Sequence, residues 1–213
     1  MGGVISPLLA NIYMHRYLRA WRERGKGDAF CARIVNYADD FVILSRGHAK
    51  EALAWTQWAM TRLGLTLNAT KTRLCNARTE PFNFLGYTFG PARFRKDGRM
   101  YLAASPSKKA VERLRENIRG LLRANRATPW PDVRDRLNRK LRGWSQYFSY
   151  GTRAYTYRAV ENFVRTAVQN FLQRRHQVPG RGTRHYPAEV VFGHLGVLRL
   201  RSAQLKRAAR VDS

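Results

Sequence analysis

The stretch from Ile34 to Leu44, IVNYADDFVIL, constrains the fold more than any other part of the chain. Two runs of β-branched and aromatic residues flank an adjacent pair of acids, which predicts a β-hairpin with Ala38, Asp39 and Asp40 at its turn. Two neighbouring carboxylates in an apolar frame stay ionised only where solvent or a cation compensates their charge. Mg²⁺ suits hard oxygen ligands on a rigid turn. A solvated turn is the alternative, because Asp is a common turn residue.

The charge of the chain predicts a polyanionic partner. Its 213 residues include 40 Lys and Arg against 14 Asp and Glu, for a formal net charge of +26. Residues 1–104 hold 16 basic and 7 acidic side chains, and residues 105–213 hold 24 and 7, so the second half is the stronger candidate for nucleic-acid binding. The sequence has neither a long apolar run nor a signal peptide, so we expect a cytoplasmic protein with no membrane partner.

Helix signals occur twice in the first half. Ser6 and Pro7 are typical of an N-cap and a first helical position, so we expect a helix to begin there. A second helix is expected over residues 49–63, ended by Gly64. The alternation in residues 65–74 indicates a loop that leads into an edge strand.

Aromatic, β-prone residues mark the end of the first half. Residues 82–89, FNFLGYTF, predict a core strand interrupted by a glycine, and residues 94–102 predict a hairpin with the turn KDG at 96–98. The β signals stop there and helical signals begin. We therefore expect two domains, 1–104 and 105–213.

The second half predicts a bundle of three amphipathic helices. Apolar residues recur at spacings of three and four in residues 108–123, 132–148 and 154–175. Trp144 lies on such an apolar stripe, so we expect it to pack in the core. A Gly- and Arg-rich loop follows, after which Phe192 and Leu195 are expected to dock on the bundle.

Basic and aromatic residues occupy the other faces of these helices. Tyrosines interleave with arginines near residues 147–158, a mixture that stacks on bases and pairs with phosphates. A solvated basic face is the alternative. The residues expected to bind RNA are Lys108, Lys109, Arg113, Arg115, Arg119, Arg123, Arg139, Lys140, Arg142, Tyr147, Arg153, Arg158, Arg174, Arg175, Arg181 and Arg184.

Four segments resemble those of one known family. The YADD sequence at 37–40 is similar to the YxDD box of reverse transcriptases, in the form found in group II introns. GGVISPLLANIYMH at 2–15 resembles the motif that follows the first catalytic carboxylate of those enzymes. FNFLGYTF resembles their primer grip, and LRGWSQYFSYG at 141–151 resembles the core of their thumb, or maturase, region. The segments occur in the family's order.

The resemblance implies an α+β fold and a role for individual residues. The fold would be part of a reverse-transcriptase palm, an antiparallel sheet with covering helices, followed by an all-α three-helix thumb/maturase bundle. Asp39 and Asp40 would hold two Mg²⁺ ions together with a further aspartate that this chain lacks. Lys71 falls where reverse transcriptases place a lysine near the incoming nucleotide, although an edge-strand lysine explains it equally well. Residues implied to contact the nucleotide, template or primer are Gly2, Gly3, Tyr37, Ala38, Leu85, Gly86 and Tyr87.

Three functional hypotheses follow from the sequence. In the first, the chain is the C-terminal portion of an RNA-directed DNA polymerase that uses deoxynucleotides, an RNA template and a DNA primer. It would then need upstream sequence or a separate N-terminal fingers and palm polypeptide. In the second, it is a non-catalytic maturase that binds intron RNA and assists splicing within a ribonucleoprotein. In the third, it is a decayed fragment.

Overall fold

The protein has a mixed α+β fold that divides into two compact units. The structure is a computed structural model that describes residues 5–94, 97–177 and 184–200. The N-terminal unit is Met1–Asn76 and the C-terminal unit is Ala77–Ser213. Each unit has its own hydrophobic core, and the described strands form two antiparallel sheets. The fold class predicted from the sequence is confirmed.

The N-terminal unit consists of helices packed on one face of a β-hairpin. Its elements are α1 (Ser6–Glu23), the single turn α2 (Lys26–Ala29), β1 (Ala32–Tyr37), β2 (Asp40–Ser45) and α3 (Ala49–Arg62). The predicted hairpin is confirmed, and Gly64 follows α3 with the positive φ of +72° that suits a C-terminal glycine. Helix α1 begins one residue earlier than expected, since Ser6 is its first helical residue and not its N-cap. No side chain makes a capping hydrogen bond at this end.

Aromatic side chains dominate the core of this unit. Tyr17 is fully buried, and its ring lies 5.5 Å from Phe41 of the hairpin and 6.0 Å from Trp55 of α3. The Tyr17 hydroxyl hydrogen-bonds Thr56 Oγ1 at 2.9 Å. Burial raises the pKa of Tyr17 to about 12. The core therefore joins α1, α3 and the hairpin through one polar contact and several ring contacts.

The edge strand predicted for residues 65–74 is wrong, because these residues form turns and irregular structure. Asn68 provides the physical reason. Its side-chain Oδ1 accepts hydrogen bonds from the Thr70 N–H at 3.0 Å and from the Lys71 N–H at 3.2 Å, and its carbonyl accepts one from the Thr72 N–H at 2.8 Å. These local bonds fold the backbone into a turn and compete with strand pairing.

The C-terminal unit begins with a three-stranded sheet. Its strands β3 (Phe82–Phe84), β4 (Tyr87–Arg93) and β5 (Met100–Pro106) pair in sequence order. The β structure predicted for residues 82–89, with its interruption at the glycine, is confirmed, because the Leu85–Gly86 turn separates β3 from β4. The predicted hairpin at 94–102 is confirmed by the Phe94 N–H, which donates to the Arg99 carbonyl at 2.9 Å.

Three helices form the core of the C-terminal unit, as predicted. They are α4 (Lys108–Ala124), α5 (Trp130–Tyr147) and α6 (Ala154–His176). Each helix buries its apolar stripe: Ile118 of α4, Leu137 of α5 and Val164 of α6 are all fully buried. Trp144 packs on Phe148 at 4.9 Å and on Tyr157 at 5.6 Å, so its predicted role in packing is confirmed.

A final segment returns to the bundle and contains the π-helical turn Val190–His194. Phe192 and Leu195 pack against the core, as predicted. Asn138 of α5 fixes the backbone beyond the turn, because its amide donates to the Gly196 carbonyl and accepts from the Leu198 N–H, both at 2.8 Å.

The sheet and the bundle of the C-terminal unit are joined by backbone contacts. The Thr152 N–H, between α5 and α6, donates to the Ala104 carbonyl of β5 at 2.7 Å. Gly151 approaches so closely that an added Cβ would lie 2.1 Å from the same carbonyl oxygen. Ser107 follows β5 and caps α4, because its Oγ accepts a hydrogen bond from the Ala110 N–H at 3.1 Å. The expected division at residues 104 and 105 stays a prediction.

Candidate active site and nucleic-acid surfaces

The hairpin of the N-terminal unit places the two aspartates at its tip. Tyr37 pairs with Asp40, which leaves Ala38 and Asp39 as a two-residue turn. Ala38 has a φ of +54°, a left-handed conformation that is uncommon for a residue with a Cβ. Asp40 thus belongs to β2, while Asp39 lies in the turn itself. The backbone at this site is a tight turn of defined geometry.

Asp40 lies on the hairpin face that is turned away from the helices. Phe41 and Ile43 of β2 pack into the core of the unit, and side chains alternate along a strand. Asp40 therefore shares the opposite face with its partner Tyr37 and with Val35, which are 67% and 47% exposed. This face presents carboxylate oxygens beside apolar and aromatic surface.

The donor set at the tip fits a hard divalent cation. Asp39 and Asp40 are both exposed, and neither forms an ion pair with a described residue. Carboxylate oxygens without cationic partners can bind Mg²⁺ together with phosphate oxygens and water. No group of three His, Cys, Asp or Glu side chains is placed to share a metal within the ranges that the structure describes.

Lys71 belongs to the same unit as the two aspartates. It sits in the turn organised by Asn68, and its side chain is exposed. No hydrogen bond or ion pair joins its ammonium group to a carboxylate in the described part of the chain. The turn fixes the backbone and leaves the side chain available to an anionic ligand.

The Leu85–Gly86 turn of the C-terminal unit has an unusual backbone. Phe84 pairs with Tyr87 across the turn, and both turn residues have positive φ, +48° for Leu85 and +76° for Gly86. Two successive positive φ values are typical of a type I′ turn, which matches the twist of the flanking strands. Leu85 is strained in this conformation, because an L side chain disfavours it by about 1–2 kcal/mol.

The end of α5 holds this turn in place. The Tyr147 hydroxyl donates to the Leu85 carbonyl at 2.9 Å, and the Tyr87 hydroxyl donates to the Tyr147 carbonyl at 2.7 Å. Phe148 closes one side, since a Cβ on Gly86 would lie 3.3 Å from its ring. Burial raises the pKa of Tyr87. Tyr147 is expected from the sequence to contact RNA, and no sequence signal indicates this contact, which joins residues 62 positions apart.

Among the predicted RNA-binding residues that the structure describes, most have exposed side chains and the rest are half-buried. Arg153 donates to the Ser149 carbonyl and Arg175 to the Thr128 carbonyl, so both make structural contacts. Arg115 pairs with Glu112 at 3.4 Å. The exposed members are Lys108, Lys109, Arg113, Arg119, Arg123, Arg139, Lys140, Arg142, Tyr147, Arg158, Arg174 and Arg184.

Four predicted positions cannot be placed. Gly2 and Gly3 of the expected nucleotide contact, Lys96 of the expected turn and Arg181 of the RNA-binding set lie outside the described residues. Their predicted roles remain predictions.

A groove between α4 and α5 brings part of the basic set together. It has a volume of about 520 Å³ and is lined on the α5 side by Arg136, Arg139 and Lys140. Arg136 is held by Asn125 Oδ1, which accepts from its Nη1 at 2.9 Å. Glu116 is the acidic residue of the lining. The arrangement suits contacts to phosphate groups, because guanidinium groups pair with phosphate oxygens in a bidentate way.

Comparison with known families agrees with both units. Residues 1–89 match the family described as reverse transcriptase (RNA-dependent DNA polymerase). Residues 111–186 match the group II intron, maturase-specific domain. The two matches are those of a group II intron reverse transcriptase/maturase. The resemblance noted in the sequence is therefore confirmed.

One relative of this reverse transcriptase/maturase is a fungal protein. The chain is 24% identical over 220 residues to the "Uncharacterized 91 kDa protein in cob intron" of Schizosaccharomyces pombe. The alignment covers 70% of this chain and 27% of that protein, so the chain spans about a quarter of its relative's length. None of the helices within the described ranges has the length and apolar character needed to cross a membrane.

Proposed function

We propose that the chain supplies Asp39 and Asp40 to the active site of an RNA-directed DNA polymerase encoded by a group II intron. The observation that carries this proposal is the exposed pair of carboxylates at the tip of a hairpin whose other face is packed on a helical core. The pair lies inside the segment that matches reverse transcriptases. A tight turn anchored in this way keeps the backbone of both aspartates in a defined position.

The chemistry would be transfer of a nucleotidyl group from a deoxynucleotide to a primer. Bound Mg²⁺ would supply activation of the primer hydroxyl and charge stabilisation for the leaving pyrophosphate. Asp39 and Asp40 would hold the metal through their oxygens, and the family resemblance implies a further aspartate that belongs to the fingers and palm region.

Residues around the carboxylates would bind and orient the substrates. Tyr37 lies beside Asp40 on the exposed hairpin face and offers a ring to the primer or nucleotide. The Lys71 ammonium has no carboxylate partner among the described residues, so it is free to bind a triphosphate or to donate a proton to the leaving group. The turn formed by Leu85 and Gly86, with Tyr87 after it, would contact the primer.

The helical bundle would bind intron RNA. This proposal is supported by the α4–α5 groove, where Arg136, Arg139 and Lys140 lie together. The tyrosines Tyr150 and Tyr155, which follow α5 in the chain, are exposed as well. A maturase without polymerase activity is the second candidate function. It is favoured by the fact that this groove is formed entirely within the C-terminal unit and needs no contribution from the hairpin.

Primer extension tests the first function. Purified protein, supplied together with a fingers and palm segment that carries the further aspartate, is incubated with an RNA template, a DNA primer, Mg²⁺ and deoxynucleotides, beside the variants Asp39→Asn and Asp28→Asn. Asp28 is an exposed aspartate of α2 in the same unit, so it controls for the loss of one negative charge. We expect extension to be lost in Asp39→Asn and kept in Asp28→Asn.

Metal binding provides a test that does not require activity. Mn²⁺ is added to the isotopically labelled protein, and paramagnetic broadening of backbone amide signals is recorded. We expect broadening at residues 37–41 that Mg²⁺ reverses and that Asp39→Asn removes. Equal broadening in the wild type and in Asp39→Asn would contradict the proposed metal site. If metal binding is seen without extension, intron splicing assays with Arg139→Glu/Lys140→Glu test the maturase function.

A further inference from the structure

A basic groove lies between α1 and α3 of the N-terminal unit. It has a volume of about 100 Å³. Its lining includes Arg16 of α1, Arg24 at the C-cap of α1, and Trp58 and Arg62 of α3. Trp58 is 45% exposed, which is high for so large an aromatic side chain. Neither the metal site nor the maturase domain makes use of this groove.

Two guanidinium groups contact the indole ring of Trp58. The Arg24 Cζ lies 5.3 Å from the ring centroid and the Arg62 Cζ lies 5.7 Å from it. Such cation–π contacts orient the arginines and leave their N–H groups free to donate to a ligand. Lys26 adds a further positive charge nearby, because its Nζ lies 5.8 Å from the ring of the neighbouring Trp55.

The positive charges of the groove have no acidic partner within the described residues. Arg16, Arg24, Arg62 and Lys26 form no ion pair there, whereas the exposed Arg19 on the same helix is paired with Glu23 at 2.6 Å. Several like charges held together by packing repel one another unless an anion compensates them. An anionic ligand in the groove would provide that compensation.

The groove is also separate from the two aspartates. Helices α1 and α3 pack on the hairpin face that carries Phe41 and Ile43, whereas Asp40 lies on the opposite face. A ligand in the groove thus lies on the helical side of the unit, away from the acidic pair.

We propose that the α1–α3 groove binds the phosphodiester backbone of RNA, as a contact site distinct from the hairpin and from the bundle. Its volume of about 100 Å³ is far below the roughly 300–1,000 Å³ of pockets for whole small molecules and suits a phosphate group. Bidentate guanidinium groups are the usual partners of phosphate oxygens. Base stacking on Trp58 is disfavoured because arginines already occupy its ring.

The salt dependence of RNA binding tests this proposal. The affinity of the full chain for a fluorescein-labelled 20-base-pair RNA duplex is measured by anisotropy between 50 and 200 mM KCl. The test variant is Arg24→Gln/Arg62→Gln. The control is Arg22→Gln/Arg46→Gln, which removes two exposed arginines of the same unit that do not line the groove.

Each phosphate contact contributes about 0.9 to the slope of log affinity against log salt concentration. The test variant is expected to lower the magnitude of this slope by about 2. When the salt concentration rises fourfold, the affinity of the wild type should therefore fall by roughly tenfold more than the affinity of the variant. Arg16→Gln alone is expected to lower the slope by about 1. Arg24→Lys/Arg62→Lys should keep the wild-type slope, because it preserves the charges.

The outcomes are decisive in both directions. A lower slope in the groove variants but not in the control supports the site. Equal slopes in all variants, or equal losses in the groove and control pairs, overturn it. Stronger loss of binding to phosphatidylglycerol vesicles than to RNA in the same variants overturns it in favour of a lipid surface. The groove lining contains neither Asp39 nor Asp40, and the groove variants leave both aspartates unchanged. A negative result here therefore does not refute the proposed polymerase function.

Discussion

Gly151→Ala tests the backbone contact that joins the sheet and the bundle in the C-terminal unit. Gly151 has a φ of +73°, and an added Cβ would lie 2.1 Å from the Ala104 oxygen and 2.9 Å from the Ala104 carbon. A separation of this size is not tolerated, so the backbone must move. The movement breaks the hydrogen bond from the Thr152 N–H to the Ala104 carbonyl.

Two costs add in this variant. An alanine at positive φ is disfavoured by about 1–2 kcal/mol, and the lost hydrogen bond contributes about 0.5–1.5 kcal/mol. We therefore expect the free energy of unfolding of the C-terminal unit to fall by about 2–3 kcal/mol. The corresponding decrease in melting temperature is roughly 5–15 °C for a unit of this size.

Urea denaturation and amide hydrogen exchange measure the effect. The matched control is Gly143→Ala, because Gly143 lies inside α5 with no atom within 4 Å of an added Cβ. That control should stabilise the unit by up to about 1 kcal/mol, since alanine favours a helix more than glycine. Two results would contradict the close approach of Gly151 to the Ala104 carbonyl: a Gly151→Ala variant as stable as the wild type, or a Thr152 amide that stays protected from hydrogen exchange in that variant.

Three further perturbations have defined outcomes. Tyr147→Phe removes the bond to the Leu85 carbonyl and should lower stability by about 1 kcal/mol while amide exchange at residues 84–87 accelerates. Ala38→Gly should stabilise the N-terminal unit by about 1 kcal/mol in urea denaturation, because glycine relieves the positive φ. Tyr17 has a folded pKa of about 12 against 10.0 when unfolded, so its neutral form favours the fold below pH 10. That stability should decline as the pH rises from 10 to 12, and Tyr17→Phe should lose this pH dependence in the same denaturation assay.

The sequence predicted the elements whose signals are local and periodic. The hairpin at Asp39 and Asp40 was found because β-branched and aromatic runs flank a pair of turn residues. The three helices were found because their apolar residues recur at helical spacing and fill a single core. Trp144 was correctly placed in that core for the same reason.

Local side-chain chemistry caused the clearest error. Residues 65–74 alternate like a strand, with Leu65 and Leu67 both half-buried. The carboxamide of Asn68 overrides that pattern, because it satisfies the backbone N–H groups of the following residues within a turn. A Thr- and Asn-rich segment after a helix is a signal that could have indicated a turn.

Contacts between distant residues could not be read from the sequence. The Tyr147 hydroxyl meets the Leu85 carbonyl only because the fold brings α5 to the β3–β4 turn. The α1–α3 groove likewise combines Arg16 and Arg24 with Arg62, which come from two helices separated by the hairpin. Neither set of residues has a recognisable spacing along the sequence, because only the tertiary fold brings its members together.

Two hydrogen bonds tie the β3–β4 turn to the end of α5: the Tyr87 hydroxyl donates to the Tyr147 carbonyl, and the Tyr147 hydroxyl donates to the Leu85 carbonyl. Because both bonds are lost if either element moves, the turn and the end of α5 share one conformational equilibrium. If a primer end binds at the turn and intron RNA binds on the bundle, each ligand changes the affinity of the other by the same factor. Primer binding and intron-RNA binding would then be energetically coupled within the C-terminal unit.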